Sequence, residues 1–205
     1  MKTDKKIKAI IFDLGNVLIK VDFERMLINQ TRQNPGNTAH EIMEAAYNDD
    51  LFKNFCKGEI DPLTFYKKLI QRFDLTLSYN EFREKWCDIF EPDYVIAEFV
   101  HDLSKKYKIG LLSDTDPIHW EYVLEKFTFL QSIKNPTLSF KTGYMKPHPE
   151  IYRMAAKNLN CPLTSCLFID DRAINVEGAI NTGMKALQFQ NIESLKINLQ
   201  HMRLL

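Results

Sequence analysis

The sequence predicts an α/β fold, in which a doubly wound parallel sheet carries an inserted helical cap domain. Three observations support this prediction. A short apolar run near the N-terminus lacks polar alternation, which is typical of a strand buried on both faces. The region from residue 95 onward alternates between helix-like and strand-like patterns, and this indicates parallel strands joined by crossover helices. Between these parts, the chain shows helical periodicity.

The first strand is predicted from Ile10, Ile11 and Phe12, which are β-branched or aromatic. Such a strand ends at Asp13 and delivers its carboxylate to the edge of the sheet where open α/β folds bind their ligands. Gly15 follows closely and allows the backbone to approach a ligand. The alternative interpretation of Asp13 is a loop-starting residue that hydrogen-bonds only its own backbone.

The block after the first strand, from Asp22 to about Tyr94, carries helix signals throughout. Apolar residues recur at helical spacing at positions 65, 69, 70 and 73, and again at 82, 86, 89 and 90. No strand is expected in this block. We therefore predict a helical cap over residues 20–94 and a catalytic core made of residues 1–19 and 95–205. The helix starts are the possible capping boxes Thr38 with Glu41 and Ser78 with Glu81, and Asp61 directly before Pro62.

The second part of the core carries alternating elements. Strands are predicted at residues 108–112, 137–140, 167–169 and 185–189. Residues 143–149 are predicted to form a loop, because neighbouring prolines exclude regular structure there. Helices are predicted to begin near Asp93, at Pro117, near Ile151, at Ala173 and near Glu193.

Composition excludes several function classes. The 27 basic residues equal the 27 acidic residues, so the chain has no net charge to attract nucleic acid or an anionic membrane. No apolar run is long enough to span a bilayer, and the charged N-terminus is not a secretory signal. The four cysteines show no metal-site spacing, which predicts reduced thiols in a cytoplasmic protein.

Chemically reactive residues follow four predicted strands or their loops: Asp13, Ser113, Lys146 and the pair Asp170-Asp171. We expect them to converge at one edge of the sheet, where they suit displacement of a phosphoryl group. A carboxylate can attack phosphorus, a hydroxyl and backbone amides can hold phosphate oxygens, and a lysine can neutralise charge. Additional carboxylates can hold Mg²⁺.

These residues resemble the haloacid dehalogenase-like (HAD) hydrolases. The resemblance covers nearly the whole chain, since the helical block is similar to the cap that this family inserts after the first strand. The motifs that carry it are residues 12–17 (FDLGNV), 112–115 (LSDT), 146–152 (KPHPEIY), 168–171 (FIDD) and 175–179 (NVEGA).

The resemblance implies a Mg²⁺ site at the first and last motifs. Asp13 would be both the nucleophile and a metal ligand, and the backbone carbonyl of Gly15 would be a second ligand. Asp171 or Asp170 would complete the protein's share of the metal shell. In this interpretation, one member of the acidic pair binds metal and the other caps the helix that follows.

The resemblance also implies a phosphate site. The hydroxyl of Ser113 and the backbone of Asp114 would bind phosphate oxygens, and Lys146 would pair with both the nucleophile and the phosphate. A small phosphorylated metabolite is therefore the expected partner. No prediction is made about oligomeric state.

Gly15 departs from the pattern of most phosphatases in this family, which carry a general acid/base Asp at that position. Loss of that group removes a contribution of roughly 10²–10⁴-fold to the protonation of a poor leaving group. The version seen here resembles a bacterial subgroup that includes α-D-glucose-1-phosphate phosphatases, whose anomeric leaving group is a better one.

Three hypotheses follow. The first is a Mg²⁺-dependent phosphatase for a small metabolite such as a sugar phosphate. The second is a 2-haloacid dehalogenase, which uses the same aspartate without a metal; the acidic pair at residues 170–171 argues against it. The third is a phosphate-ligand-binding protein that has lost hydrolysis because of Gly15.

Overall fold

A parallel five-stranded sheet forms the centre of the molecule. The computed structural model describes residues 6–22, 25, 49–73 and 75–205. The strand order is β5-β4-β1-β6-β7, and every neighbouring pair is parallel. The strands of this sheet are β1 (Ala9–Phe12), β4 (Lys108–Ser113), β5 (Thr137–Leu138), β6 (Cys166–Asp170) and β7 (Lys185–Gln188).

Helices cover both faces of the sheet, so the predicted doubly wound fold is confirmed. Ile10 and Phe12 of β1 pack into one hydrophobic cluster, whereas Ala9 and Ile11 pack into a second cluster on the opposite face. All four residues of β1 are fully buried, as its continuous apolar sequence predicts. The helices of the described core are α4 (Tyr94–Ser104), α5 (Pro117–Lys126), α6 (Ser139–Thr142), α7 (Pro149–Asn158), α8 (Ala173–Asn181) and α9 (Ile192–His201).

The register of the central strands brings their carboxyl ends level. Phe12 at the end of β1 pairs with Leu111 of β4 on one side and with Ile169 of β6 on the other. The amide of Asp13 still donates to the carbonyl of Ile169, at 2.9 Å. The side chains that follow these three strands therefore leave the sheet at the same edge.

A short antiparallel ribbon corrects the prediction that residues 22–94 contain no strand. It consists of β2 (Ile19–Val21) and β3 (Phe90–Pro92), and Ile19 pairs with Pro92. The helical spacing of positions 82, 86, 89 and 90 predicts a helix that includes Phe90. Phe90 lies instead in β3, because the preceding helix ends at Cys87. Three-residue strands are too short for periodicity to reveal, and their pairing joins residues about 70 positions apart.

Three helices lie between the two strands of this ribbon in the described part of the chain: α1 (Asp50–Cys56), α2 (Pro62–Phe73) and α3 (Tyr79–Cys87). Ser78 and Glu81 form the predicted capping box at the start of α3, and Asp61 accepts hydrogen bonds from the first turn of α2. The predicted capping box of Thr38 and Glu41 lies outside the described residues. The domain boundaries at residues 19/20 and 94/95 stay a prediction.

The inserted helices enclose an aromatic cluster and use it to contact the core. Phe65 stacks on Phe55 with ring centroids 4.1 Å apart, and Trp86 contacts Phe65 edge-on at 5.2 Å. Ile118 of core helix α5 belongs to the same buried cluster. Burial of large aromatic side chains dominates the stability of small clusters of this kind.

Two further sequence predictions concern cysteines and membranes. All four cysteines are free thiols, as predicted. Among the helices of residues 49–73 and 75–205, none is long and apolar enough to cross a bilayer.

Gly58 joins the inserted helices to the core, and its replacement tests that contact. Its φ angle is +73°, and a Cβ atom there would lie 2.1 Å from the carbonyl oxygen of Phe140. We expect Gly58→Ala to lower the free energy of unfolding by about 2–4 kcal/mol, through left-handed strain and backbone overlap. Denaturant unfolding measures the loss.

Gly143→Ala is the matched control for this prediction. Gly143 has a similar φ of +77°, but nothing lies within 4 Å of its added Cβ. The control should lose only about 1–2 kcal/mol, from backbone strain alone. Equal losses in the two variants would show that the contact of Gly58 with Phe140 is unimportant.

Candidate active site

The predicted site residues meet at the carboxyl edge of the sheet. Asp13 follows β1, Ser113 ends β4 and Asp170 ends β6, and β1 lies between the other two strands. Asp171 follows Asp170 directly. Lys146 reaches the same edge from the loop between α6 and α7.

Lys146 is the central cation of this cluster. Its Nζ lies 2.7 Å from Oδ1 of Asp13 and 2.7 Å from Oδ2 of Asp170, and it also donates to the carbonyl of Leu112 at 3.5 Å. Only 2% of its side chain is exposed. The three donors of the buried ammonium are therefore all directed at oxygen atoms, as burial of a charge requires.

The pKa values in this cluster follow from burial and from the excess of carboxylates. Burial lowers the pKa of Lys146, but the charges of Asp13, Asp114 and Asp170 outweigh that effect, and the pKa is raised overall. Burial raises the pKa of Asp13 to about 7; Lys146 opposes this rise and Asp170 adds to it. One ammonium serves several carboxylates, so Lys146 stays charged more easily than Asp13 does.

Asp170 is a fully occupied hydrogen-bond acceptor. Its Oδ1 accepts from the amide of Arg172 at 2.8 Å and from Asn175 Nδ2 at 3.0 Å. Its Oδ2 accepts from Lys146 at 2.7 Å and from the same Asn175 nitrogen at 3.1 Å. Asn175 therefore holds the acidic loop through Asp170, and the four hydrogen bonds fix the orientation of the Asp170 carboxylate.

Asp171 is more open. It is half-buried, and burial together with the charge of Asp170 raises its pKa, whereas a hydrogen bond from Asn16 lowers it. Carboxylate oxygens of Asp13, Asp170 and Asp171 lie within 4.8 Å of one another, which suits a shared cation.

Neither carboxylate of the acidic pair caps helix α8, so the expectation that one of them does so is wrong. The N-cap residue of α8 is Arg172, and no side chain caps this helix. Asp170 instead accepts from the amide of Arg172, which is the N-cap residue itself. A capping side chain accepts from an amide inside the first turn of the helix.

The loop after β4 is held from both sides. Oδ1 of Asp114 accepts from the backbone amide of Lys146 at 3.0 Å, so this side chain positions the lysine loop. The hydroxyl of Ser139 accepts from the amide of Thr115 and donates to its carbonyl, both at 2.9 Å. Ser113 itself is 3% exposed. The loop is therefore rigid and suited to present backbone and hydroxyl donors to an anion.

Two residues that complete the site were not singled out from the sequence. Asn16 lies inside the first motif; its Oδ1 accepts from the amide of Val21, and its side chain also bonds Asp171. Its φ of 56° lies in the left-handed region, which asparagine tolerates better than most residues. The choice of asparagine at this loop position was therefore an available signal in the sequence. Ser139 gave no signal, because its role depends on the position of α6 beside the loop.

Comparison with protein-family models matches the haloacid dehalogenase-like hydrolase family over residues 7–183. The match includes the ends of β1, β4 and β6, the loop that carries Lys146, and the inserted helices. The chain belongs to the haloacid dehalogenase-like hydrolases. The resemblance drawn from the motifs is thereby confirmed, and this HAD-like chain is a hydrolase.

Curated relatives of this HAD-like hydrolase are phosphatases of small phosphorylated compounds. D-ribitol-5-phosphate phosphatase from Bacteroides thetaiotaomicron is 25% identical over 192 residues, which cover 90% of this chain and 93% of the relative. Glyceraldehyde 3-phosphate phosphatase from Pyrococcus abyssi is 30% identical over 206 residues, which cover 90% of this chain and 82% of the relative.

Solved structures show the same architecture. A HAD-family enzyme from Bacteroides thetaiotaomicron, in complex with magnesium and inorganic phosphate, has a TM-score of 0.80 at 26% identity, covering 92% of this chain and 98% of the other. L-2-haloacid dehalogenase from Xanthobacter autotrophicus has a TM-score of 0.66 at 18% identity, covering 97% and 84%. The second similarity concerns the fold alone.

The raised pKa of Asp13 predicts a pH-dependent penalty in the metal-free hydrolase. The pKa of Asp13 is about 7 in the folded protein and 3.8 ordinarily. The contribution of this one group to stability is therefore most favourable at low pH, and it is lost as the pH rises through about 7. We expect Asp13→Asn to stabilise the metal-free protein at pH 8 by up to about 4 kcal/mol, with a much smaller effect near pH 4.

Urea unfolding in EDTA across this pH range measures the difference between the two proteins. Mg²⁺ should shrink it at pH 8, because a cation favours the ionised form of Asp13. A difference that does not change with pH would contradict the assignment of a buried, partly protonated Asp13.

Proposed function

We propose that the chain is a Mg²⁺-dependent phosphatase that acts on a small phosphorylated sugar or polyol through an aspartyl-phosphate at Asp13. The observation that carries this proposal is the buried bridge from Lys146 to both Asp13 and Asp170, beside Asp171. A carboxylate fixed by one cation, with further carboxylates available for a second, has the charge pattern that phosphoryl transfer requires.

Asp13 is the proposed nucleophile. It lies directly after a fully buried central strand, so its backbone is rigid. Lys146 holds Oδ1 at 2.7 Å and thereby orients the whole carboxylate. Attack of the carboxylate on phosphorus forms an acyl phosphate and breaks the P–O bond to the alcohol, which leaves. Water then hydrolyses the acyl phosphate in a second step, which releases inorganic phosphate and regenerates Asp13.

The carboxylates fit a hard divalent cation. Asp13, Asp170 and Asp171 offer oxygen atoms within 4.8 Å of one another and outnumber the ammonium of Lys146. We propose Asp13 and Asp171 as direct ligands, because the oxygens of Asp170 already accept two hydrogen bonds each. The carbonyl of Gly15 is the proposed third protein ligand. When bound, Mg²⁺ offsets negative charge on the transferring phosphoryl group.

The remaining phosphate oxygens are assigned to the loop after β4. The hydroxyl of Ser113 and the backbone amide of Asp114 are the proposed donors, and Lys146 adds positive charge. The two hydrogen bonds between Ser139 and Thr115 support this proposal, because they fix the loop that carries the donors. Donors that are fixed before the reaction need no rearrangement during it.

The substrate class follows from two considerations. The curated relatives are phosphatases of ribitol 5-phosphate and glyceraldehyde 3-phosphate, which are phosphates of a small polyol and a small sugar. Gly15 supplies no side chain to protonate the leaving group, and this favours a leaving group of low basicity, such as an anomeric oxygen. Glucose 1-phosphate therefore remains a candidate beside the primary phosphates.

Phosphate release is the direct test of this function. The panel contains ribitol 5-phosphate, glyceraldehyde 3-phosphate, glucose 1-phosphate and p-nitrophenyl phosphate, with Mg²⁺ or EDTA. We expect turnover with Mg²⁺ only, and a loss of more than about 10³-fold in Asp13→Asn, because the covalent route is removed. Asp102→Asn is the control, since Asp102 lies in an exposed ion pair with Lys105 and should retain full activity.

The other hypotheses correspond to different results of the same assay. Halide release from 2-chloropropionate in EDTA would indicate a dehalogenase. Tight binding of a sugar phosphate without phosphate release over hours would indicate a binding protein. Full activity of pure Asp13→Asn would exclude Asp13 as the nucleophile.

The lack of an acid at Gly15 predicts a steep dependence on the leaving group. We expect the wild type to prefer p-nitrophenyl phosphate over ribitol 5-phosphate in kcat/KM, because the aryl group needs no protonation. Gly15→Asp should raise the alkyl-to-aryl ratio by up to about 10²-fold. A Cβ at this position lies 3.1 Å from Val21 Cγ2, so the variant is also made with Val21→Ala.

Gly15→Ala, with and without Val21→Ala, is the control, because it adds the same Cβ without a carboxyl group. Its alkyl-to-aryl ratio should equal that of the wild type. A wild-type enzyme that hydrolyses both substrates equally well would show that another residue already provides the acid.

A further inference from the structure

A closed ring of hydrogen bonds joins the inserted helix α3 to the core helix α5. Nδ1 of His119 lies 2.7 Å from Oδ2 of Asp116, and its Nε2 lies 2.7 Å from the backbone carbonyl of Trp86. The indole Nε1 of Trp86 donates back to Oδ2 of Asp116 at 3.3 Å. All three residues are buried: the exposed fraction is 8% for His119, 0% for Asp116 and 6% for Trp86.

The partners of His119 determine how many protons the ring carries. A backbone carbonyl can only accept, so Nε2 must carry a proton to bond Trp86. The carboxylate of Asp116 also accepts from Trp86 and from the amide of His119. The 2.7 Å contact between Nδ1 and Oδ2 requires a second proton between these two atoms, because two lone pairs would otherwise face each other. With this proton on Nδ1, the ring is an imidazolium that faces a carboxylate.

The aromatic neighbours favour the same charge state. The ring of Trp86 is stacked on His119, with centroids 5.0 Å apart and an interplanar angle of 1°. Phe90 of strand β3 contacts the ring in a T-shaped arrangement at 4.9 Å. A cation over the face of an indole is attracted by its quadrupole, and the attraction is greater when both groups are buried.

Other titratable groups around the pair do not compete for its charge. Burial raises the pKa of Cys56 on α1 well above its ordinary value, that of Cys87 on α3 to about 12, and that of Tyr122 on α5. Asp114 faces Lys146. At the rim, Arg83 pairs with Glu121. The buried carboxylate that faces His119 is therefore matched by the imidazolium itself.

The ring of hydrogen bonds begins next to the phosphate loop. Asp116 caps helix α5 through His119 N at 3.0 Å and lies only three residues after Ser113. The preceding Thr115 is fixed by Ser139. A contact that holds α3 through Asp116 and His119 therefore fixes the inserted helices relative to the loop proposed to bind phosphate.

We propose that His119 is a doubly protonated positioning residue, and that with Asp116 it forms a charged latch that holds the inserted helices over the phosphate loop. The charge state of His119 does not depend on the proposed phosphatase function, whereas the kinetic consequence rests on it.

Histidine-selective ¹⁵N labelling tests the charge state directly in the full-length protein. Two-bond ¹H–¹⁵N correlation spectra separate an imidazolium, whose two nitrogens have similar shifts, from a neutral tautomer, whose nitrogens differ widely. The signal that disappears in His119→Gln identifies the residue among the five histidines. We expect an imidazolium at pH 7. A neutral tautomer at pH 7 would overturn the proposal, whether or not the chain is a phosphatase.

Kinetics of two variants test the positioning role. His119→Asn can keep the bond to Asp116, and His119→Gln can keep the bond to Trp86, but neither carries a charge. We expect each to raise KM about tenfold, which corresponds to about 1.4 kcal/mol, and to leave kcat within about threefold.

His101→Gln is the matched control, because His101 is exposed on helix α4 and has no role in the proposed site. It should keep the wild-type KM. Unchanged KM values in both His119 variants, or a fall in kcat instead of a rise in KM, would overturn the positioning role. Absence of turnover in the wild type would defeat the proposed function alone, since the NMR result stands without it.

Discussion

The buried ammonium of Lys146 is the interaction on which the candidate site depends. It joins Asp13 to Asp170 at 2.7 Å on each side, in a region where an unpaired charge costs several kcal/mol. Its own backbone is held by the carboxylate of Asp114. The three carboxylates thus position one lysine, and the lysine in turn fixes the orientation of two of them. Loss of Lys146 would leave two buried carboxylates without their shared cation.

The fold provides this arrangement through register more than through loop design. Strands β4, β1 and β6 are neighbours, and the end of β1 is level with both. Strands β1 and β6 are buried along their whole length and β4 is buried from Gly110 onward, so their ends cannot slip without exposing core residues. Ser113 and Asp170 are the last residues of their strands, and Asp13 and Asp171 lie one residue beyond theirs. The precision of the site is therefore inherited from the packing of the sheet.

The sequence was sufficient to predict the fold, and a local pattern also predicted which reactive residues meet at the sheet edge. Asp13, Ser113 and the acidic pair at 170–171 lie at the ends of apolar runs, and Lys146 directly precedes a proline-rich segment. Their roles in the site stay a prediction. The ribbon of β2 and β3 was missed, since each strand has three residues and pairs with a distant one. His119 carried no sequence signal, because its partner Trp86 lies 33 positions away. Contacts between distant segments leave no periodic signal in a single sequence.

The two buried acidic clusters differ in how their charge is balanced, and this difference has a chemical consequence. In the proposed latch His119 is the counter-ion of Asp116, so that cluster is complete within the protein. Around Lys146 the carboxylates outnumber the cation, and burial raises the pKa of Asp13 to about 7. A protonated carboxyl group is a poor nucleophile, whereas a divalent cation beside it favours the ionised form. In the proposed function, binding of the metal would therefore activate the proposed nucleophile Asp13, and the unbalanced charge would tie reactivity to occupancy of the proposed metal site.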